Sequence, residues 1–153
     1  MEENEYRETY QDINTLPCVF ERAILVRCAQ CEQAKRLYLA EREAVACRST
    51  DAHIDCSTFQ SLLHENARFV LRQSHIDGPL PHAQEIRVQC GGISGLAELL
   101  QQRRPDDSLD TDNIHALMNK ARTQFSSLTQ LPLQAIIQGI ARRQPRRRGK
   151  RPD

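Results

Sequence analysis

Five of the six cysteines in this 153-residue chain fall between Cys18 and Cys56, and the sixth, Cys90, stands alone. Thiols packed this densely serve as a disulfide framework, a redox pair or a metal site. At the centre of the window Cys28 and Cys31 form a Cys-x-x-Cys pair, with Cys47 and Cys56 downstream and Cys18 upstream. A zinc ribbon places two such short-spaced pairs; this chain has one. Solitary cysteines on separate elements suit a [4Fe–4S] cluster set among helices, whose size tolerates wide ligand spacing. The spacing therefore predicts a cysteine-ligated iron–sulfur cluster, with zinc as the alternative. One ligand set is Cys28, Cys31, Cys47 and Cys56; the other replaces Cys56 with Cys18. His53, His64 or His82 could stand in for one thiol. Burial of cysteines as small hydrophobes accounts for one or two of them but not five. A thioredoxin-type redox pair needs a βαβ pattern, which is absent here.

The compartment follows from what the chain lacks. Its start, MEENEYRETYQDINTLP, has neither the basic nor the apolar region of a signal peptide, and no apolar run approaches a membrane span. A reducing cytoplasm, where thiols persist as metal ligands, is the expected setting. With 39% hydrophobic residues and no Trp, the core must come from aliphatic side chains, and a bound metal would add stability.

Five segments are expected: an acidic arm over 1–17, a cysteine-rich domain over 18–102, a charged linker over 103–112, a helical hairpin over 113–141 and a disordered basic tail over 142–153. Tyr6, Tyr10, Ile13 and Leu16 would dock the arm. The fold class is mostly α with a minor β element. Strong helix formers predict a helix from Glu32 to Ala46, followed by a loop over Arg48–Asp55. Ser57 then reads as the N-cap of a helix over 58–73, and Ser74–Pro81 as a turn. The alternation in Glu85-Ile86-Arg87-Val88-Gln89-Cys90 predicts a short strand near 85–90, pairing with 19–26. Gly91-Gly92-Ile93-Ser94-Gly95 would break that strand and open a short helix over 96–102, the context in which glycines expose amides to phosphate. Thr111 or Asp112 would cap a helix carrying Ile114, Leu117, Met118, Ala121 and Phe125. Pro132 would start a second one, and the two would form an αα-hairpin.

Glu41, Glu43, Asp55 and Glu65 are the carboxylates near the cysteines, and a solvated helix face explains them. No nucleophile–base spacing is visible, so the chain is not expected to be an enzyme by itself. Seven basic residues against one acid lie between Arg142 and Asp153 while the whole chain sums to +1, so the remaining body is acidic. The basic stretch 142–151 could meet nucleic acid or an acidic protein surface. Three functions compete: an iron–sulfur protein for electron transfer, redox sensing or an accessory role beside a redox partner or enzyme complex; a zinc-stabilised nucleic-acid-binding or regulatory module; and a metal-free helical adaptor.

Overall fold

The computed structural model describes residues 3–71, 80–100 and 113–143. Among the described residues, six α-helices and one two-stranded antiparallel sheet make the fold mostly α with a minor β element. Helix α1 spans Glu3–Ile13 and α2 Glu21–Leu25; strands β1 and β2 span Ala34–Leu39 and Arg42–Cys47. Helices α3, α4, α5 and α6 follow at Thr50–Ala67, His82–Leu99, Ile114–Phe125 and Leu133–Arg142. The linker 103–112 and the tail from 144 onward lie outside the described residues, as do Thr111, Asp112 and most of the turn at 74–81. Among the described residues no helix is long and apolar enough to cross a membrane.

The helix expected over Glu32–Ala46 is a β-hairpin. Ala34 pairs with Cys47 and Leu39 with Arg42, and Ala40 makes the turn at a left-handed φ of 54°. Packing overrides propensity: Ala44 and Val45 are buried beneath α2 and α3. The difference matters for the cysteines. A continuous helix would set Cys31 and Cys47 about 24 Å apart at 1.5 Å per residue. The hairpin folds the chain back, so both sit at its open end.

Helix α3 begins earlier than Ser57. Ser49 is the cap, its hydroxyl accepting from the Ala52 amide at 3.1 Å. The segment expected to be a loop over Arg48–Asp55 is thus mostly the first turns of α3, whose inward face runs Ala52, Cys56, Phe59, Leu63, Ala67. Polar His53, Asp55 and Ser57 hid that stripe from a reading of apolar period alone.

The strand expected near 85–90 and the glycine turn after it are one continuous helix, α4. Its apparent period of two arises because α4 is buried on several sides: Val88, Cys90, Ile93 and Leu96 are all fully enclosed. The proposed partner strand over 19–26 is largely α2, so no ladder was available to a strand here. The glycines serve helix packing. A Cβ on Gly91 would lie 2.6 Å from the Ile140 Cα, and Gly95 faces the Ile136 backbone in the same way. Helices α4 and α6 therefore meet backbone to backbone. Arg87, buried in α4, donates from Nε to the Ile140 carbonyl at 3.0 Å, where the last carbonyls of α6 need donors.

Pro132 does precede α6, joined to α5 through a 3₁₀ turn at Leu128–Gln130. The expected αα-hairpin is not the main packing unit, because α6 packs chiefly on α4 and then on α3, whereas α5 packs on α3 and α4. The core between these helices is closed by Phe20 and Phe59, whose ring centroids are 6.1 Å apart. Helix α1 is held to the hairpin by Arg42, which pairs with Glu3 at 2.9 Å and covers the Tyr6 ring at 4.2 Å. Tyr10 donates to Glu21 at 3.0 Å, while Ile13 stays exposed rather than docking.

Candidate metal centre

The Cys-x-x-Cys pair is split between two environments. Arg27 adopts a left-handed φ of 65° just after α2, and this turn sends Cys28 into the core. There Cys28 is disulfide-bonded to Cys90 of α4, with the Cα atoms 5.8 Å apart. Arg143 donates to the Cys28 sulfur at 3.1 Å from the end of α6. Cys28 is therefore removed from both expected ligand sets by a partner that nothing in its local spacing signals.

The other four cysteines are free, and all four line one small cavity. Each arrives on a different piece of chain. Cys18 lies on a segment that runs antiparallel beside β2: its amide donates to the Val45 carbonyl at 2.9 Å, and the Cys47 amide donates to Leu16 at 2.8 Å. Cys31 precedes β1 in a loop pinned to the start of α5, where the Ile114 amide donates to Gln30 at 2.9 Å and the Glu32 amide to the Asn113 side chain at 3.2 Å. Cys47 ends β2, and Cys56 is one turn and a half into α3. Cys18, expected as a substitute ligand, thus lines the same cavity as Cys31, Cys47 and Cys56.

The thiols are largely buried among apolar side chains, including Phe20, Ala34, Ala52 and Ile114. Burial pushes the Cys18 thiol up to about 12, partly opposed by the Phe20 amide directed at its sulfur. Burial likewise raises Cys31 against the opposing effect of two amides, those of Gln33 and His115. Cys56 is raised by burial and then by the nearby Cys18, Cys31 and Cys47 sulfurs. A cation between them would offset the burial that keeps the Cys18, Cys31 and Cys56 thiols protonated. Amides aimed at sulfur would stabilise the thiolates once formed. The Cys47 thiol instead donates to the Ser49 carbonyl at 3.1 Å.

Among the described residues, no three His, Cys, Asp or Glu side chains have the arrangement to hold a metal ion directly. The sulfurs surround a common void of about 20 Å³ without forming a finished coordination sphere. His53 and His115 also border the void. His53 Nε2 lies 3.0 Å from the Pro17 carbonyl, and His115 Nδ1 lies 2.6 Å from Glu32. They brace the segments carrying Cys18 and Cys31. His115 had no sequence signal, since it enters from α5, far along the chain.

The other candidates lie elsewhere. His64 bonds Glu85 and His82 bonds Arg22, so neither faces the cysteines. Glu43 and Asp55 are in surface pairs with Arg36 and Arg122, and Glu41 and Glu65 are exposed. The Gly91–Gly95 amides belong to the interior of α4, where they bond preceding carbonyls, so this stretch is not a phosphate cradle. Comparison of the chain with protein-family models, with curated proteins and with solved structures found no match.

Proposed function

We propose that Cys18, Cys31, Cys47 and Cys56 hold an iron–sulfur cluster, and that the protein serves electron transfer, redox sensing or an accessory role in a larger enzyme complex. One observation carries this reading: the four unpaired cysteines of the chain line a single cavity, while the remaining two are consumed by each other. Ligands on four separate pieces of chain, with no two short-spaced pairs, favour a cluster over a single zinc ion. Walls of apolar side chains also exclude water from such a group.

A zinc-stabilised module is the second reading, favoured by the small size of the void, about 20 Å³, which is room for one ion. In that reading the basic stretch 142–151 would supply salt-dependent binding to nucleic acid. Anaerobic purification followed by iron, acid-labile sulfide and zinc analysis decides between the two. A brown protein with stoichiometric iron and sulfide, lost on substitution of Cys18 or Cys56, is expected. A colourless protein with one zinc transfers the same four ligands to the second reading. Absence of both metals from the anaerobic wild-type protein would overturn both.

A further inference from the structure

Strand β1 has one paired edge and one open edge. One step beyond the Ala34–Cys47 pair, the Arg48 amide donates to the Gln33 carbonyl at 2.8 Å. In an antiparallel ladder, opposed residues alternate between bonded and non-bonded pairs. Lys35, Leu37 and Leu39 therefore turn their backbone groups toward β2, while Ala34, Arg36 and Tyr38 turn theirs outward. The other strand obeys the same alternation. Val45 and Cys47, which stand opposite Arg36 and Ala34, spend their outward groups on the Leu16–Cys18 segment and on Glu21. The outer edge of β2 is thus covered. On β1 the Ala34 amide donates to the Cys31 carbonyl at 3.1 Å, but the outward N–H and C=O groups of Arg36 and Tyr38 have no partner among the described residues.

A groove of about 770 Å³ lies between β1 and the chain leaving α2. Ile24, Leu25 and Ala29 line it with apolar surface, and Arg27, Arg36 and Tyr38 border it. Tyr38 is 71% exposed. The one carboxylate lining the groove, Glu43, is neutralised by Arg36 at 2.8 Å. Arg27 and the exposed Lys35 of β1 have no ion-pair partner among the described residues, so the cationic charge beside this edge is in excess.

We propose that the outer edge of β1 takes up an extended acidic segment of a partner protein as an added strand. Open main-chain donors and acceptors alternating along a strand are matched by another extended main chain, whereas a helix has already spent its own. Alternate side chains of the added strand would face the groove, where apolar ones meet Ile24, Leu25 and Ala29 and acidic ones meet Arg27. Lys35 and Arg36 are the kind of edge charges that guard against a second copy of the same chain adding there. The inference is independent of the metal centre.

A short peptide alternating glutamate with valine, added to the full chain as purified, tests it by calorimetry and amide NMR. The Arg36 and Tyr38 amides should shift together with those of Arg27 and Ala29, and should exchange more slowly with solvent. The same peptide N-methylated at every residue should bind about tenfold or more weakly, because its main-chain donors are gone. Arg27→Asn, which suits the left-handed backbone there, should weaken binding by about threefold, the scale of one exposed charge contact. Arg68→Asn, on the exposed end of α3, should change nothing. Tyr38→Pro removes an outward amide without touching the ladder to β2, and should abolish binding. Undiminished binding of the methylated peptide would mean charge attraction alone and would overturn the proposal. So would no binding at millimolar concentration, or a dimer in sedimentation whose Arg36 and Tyr38 amides are already protected. The methylated peptide leaves the protein unaltered, which keeps the test valid should Tyr38→Pro fail to fold.

Discussion

Loading the cysteine site with a divalent ion must expel protons, and the structure sets how many. The thiols of Cys18, Cys31 and Cys56 are all held above their ordinary value by burial, so each keeps its proton at neutral pH. The ligand to a metal is the thiolate. Binding zinc, used as a probe ion, should therefore displace at least three protons. The apparent affinity should rise by about three decades per pH unit, or roughly 4 kcal/mol at about 1.4 kcal/mol per decade. Calorimetric titration of the metal-free protein in buffers of different ionisation enthalpy counts the protons directly. Cys18→Ser should lower the count by one. Release of fewer than about two protons, or an affinity flat across neutral pH, would refute the argument, because it would mean that the thiols were either already ionised or not the ligands.

Three further outcomes follow from the same geometry. Cys28→Ser should lose roughly 4 kcal/mol in urea unfolding, the loop-closure contribution of a bond spanning 62 residues, yet retain metal; Cys31→Ser should lose metal. Both are read by denaturation and metal analysis, and the reverse pattern would restore Cys28 to the ligand set. Gly91→Ala should destabilise by about 1–3 kcal/mol despite the better helix propensity of alanine, because its Cβ would meet the Ile140 Cα at 2.6 Å and backbone cannot rotate away; an unchanged melting temperature would count against backbone contact between α4 and α6. In the metal-free, disulfide-intact protein, a Cys18 thiol raised from 9.0 to about 12 gives the folded state more bound protons above about pH 9. Stability should then be constant below that pH and fall as pH rises toward about 12, by up to roughly 1.4 kcal/mol per unit for that thiol. Urea midpoints that climb over this range would contradict it.

The cysteine window and the predominance of helix were legible in the sequence, as were α5 and α6, where a clean stripe of Ile, Leu and Met at helical spacing faces one side. The hairpin was not, because Lys35 to Ala46 favour helix locally and only the packing of Ala44 and Val45 against α2 and α3 reverses that preference. Helix α4 was misread for the opposite reason: with burial on several sides and glycines at the crossing with α6, its sequence loses the single apolar face that identifies a helix. At the site, the short Cys28–Cys31 spacing carries no sign that the two cysteines face different surroundings. Cys28 and Cys31 are three residues apart, but the left-handed turn at Arg27 and a distant partner, Cys90, draw one of them into the core. That Cys18 lines the cysteine cavity follows only once β2 takes residues 16–18 as a neighbour.

The cysteine cavity also carries an order in time. All four thiols lie before residue 57, but the wall that closes over them includes Ile114 and His115 at the start of α5. A ribosome adding about 5–20 residues per second needs roughly 3–12 s to travel from Cys56 to His115. During that interval the nascent chain holds its complete set of thiols without the wall that α5 later supplies. A cofactor held by these thiols, as proposed, would therefore reach them most readily during synthesis. The docking of Gln30 and Glu32 onto the Asn113–Ile114 segment then closes the door behind it.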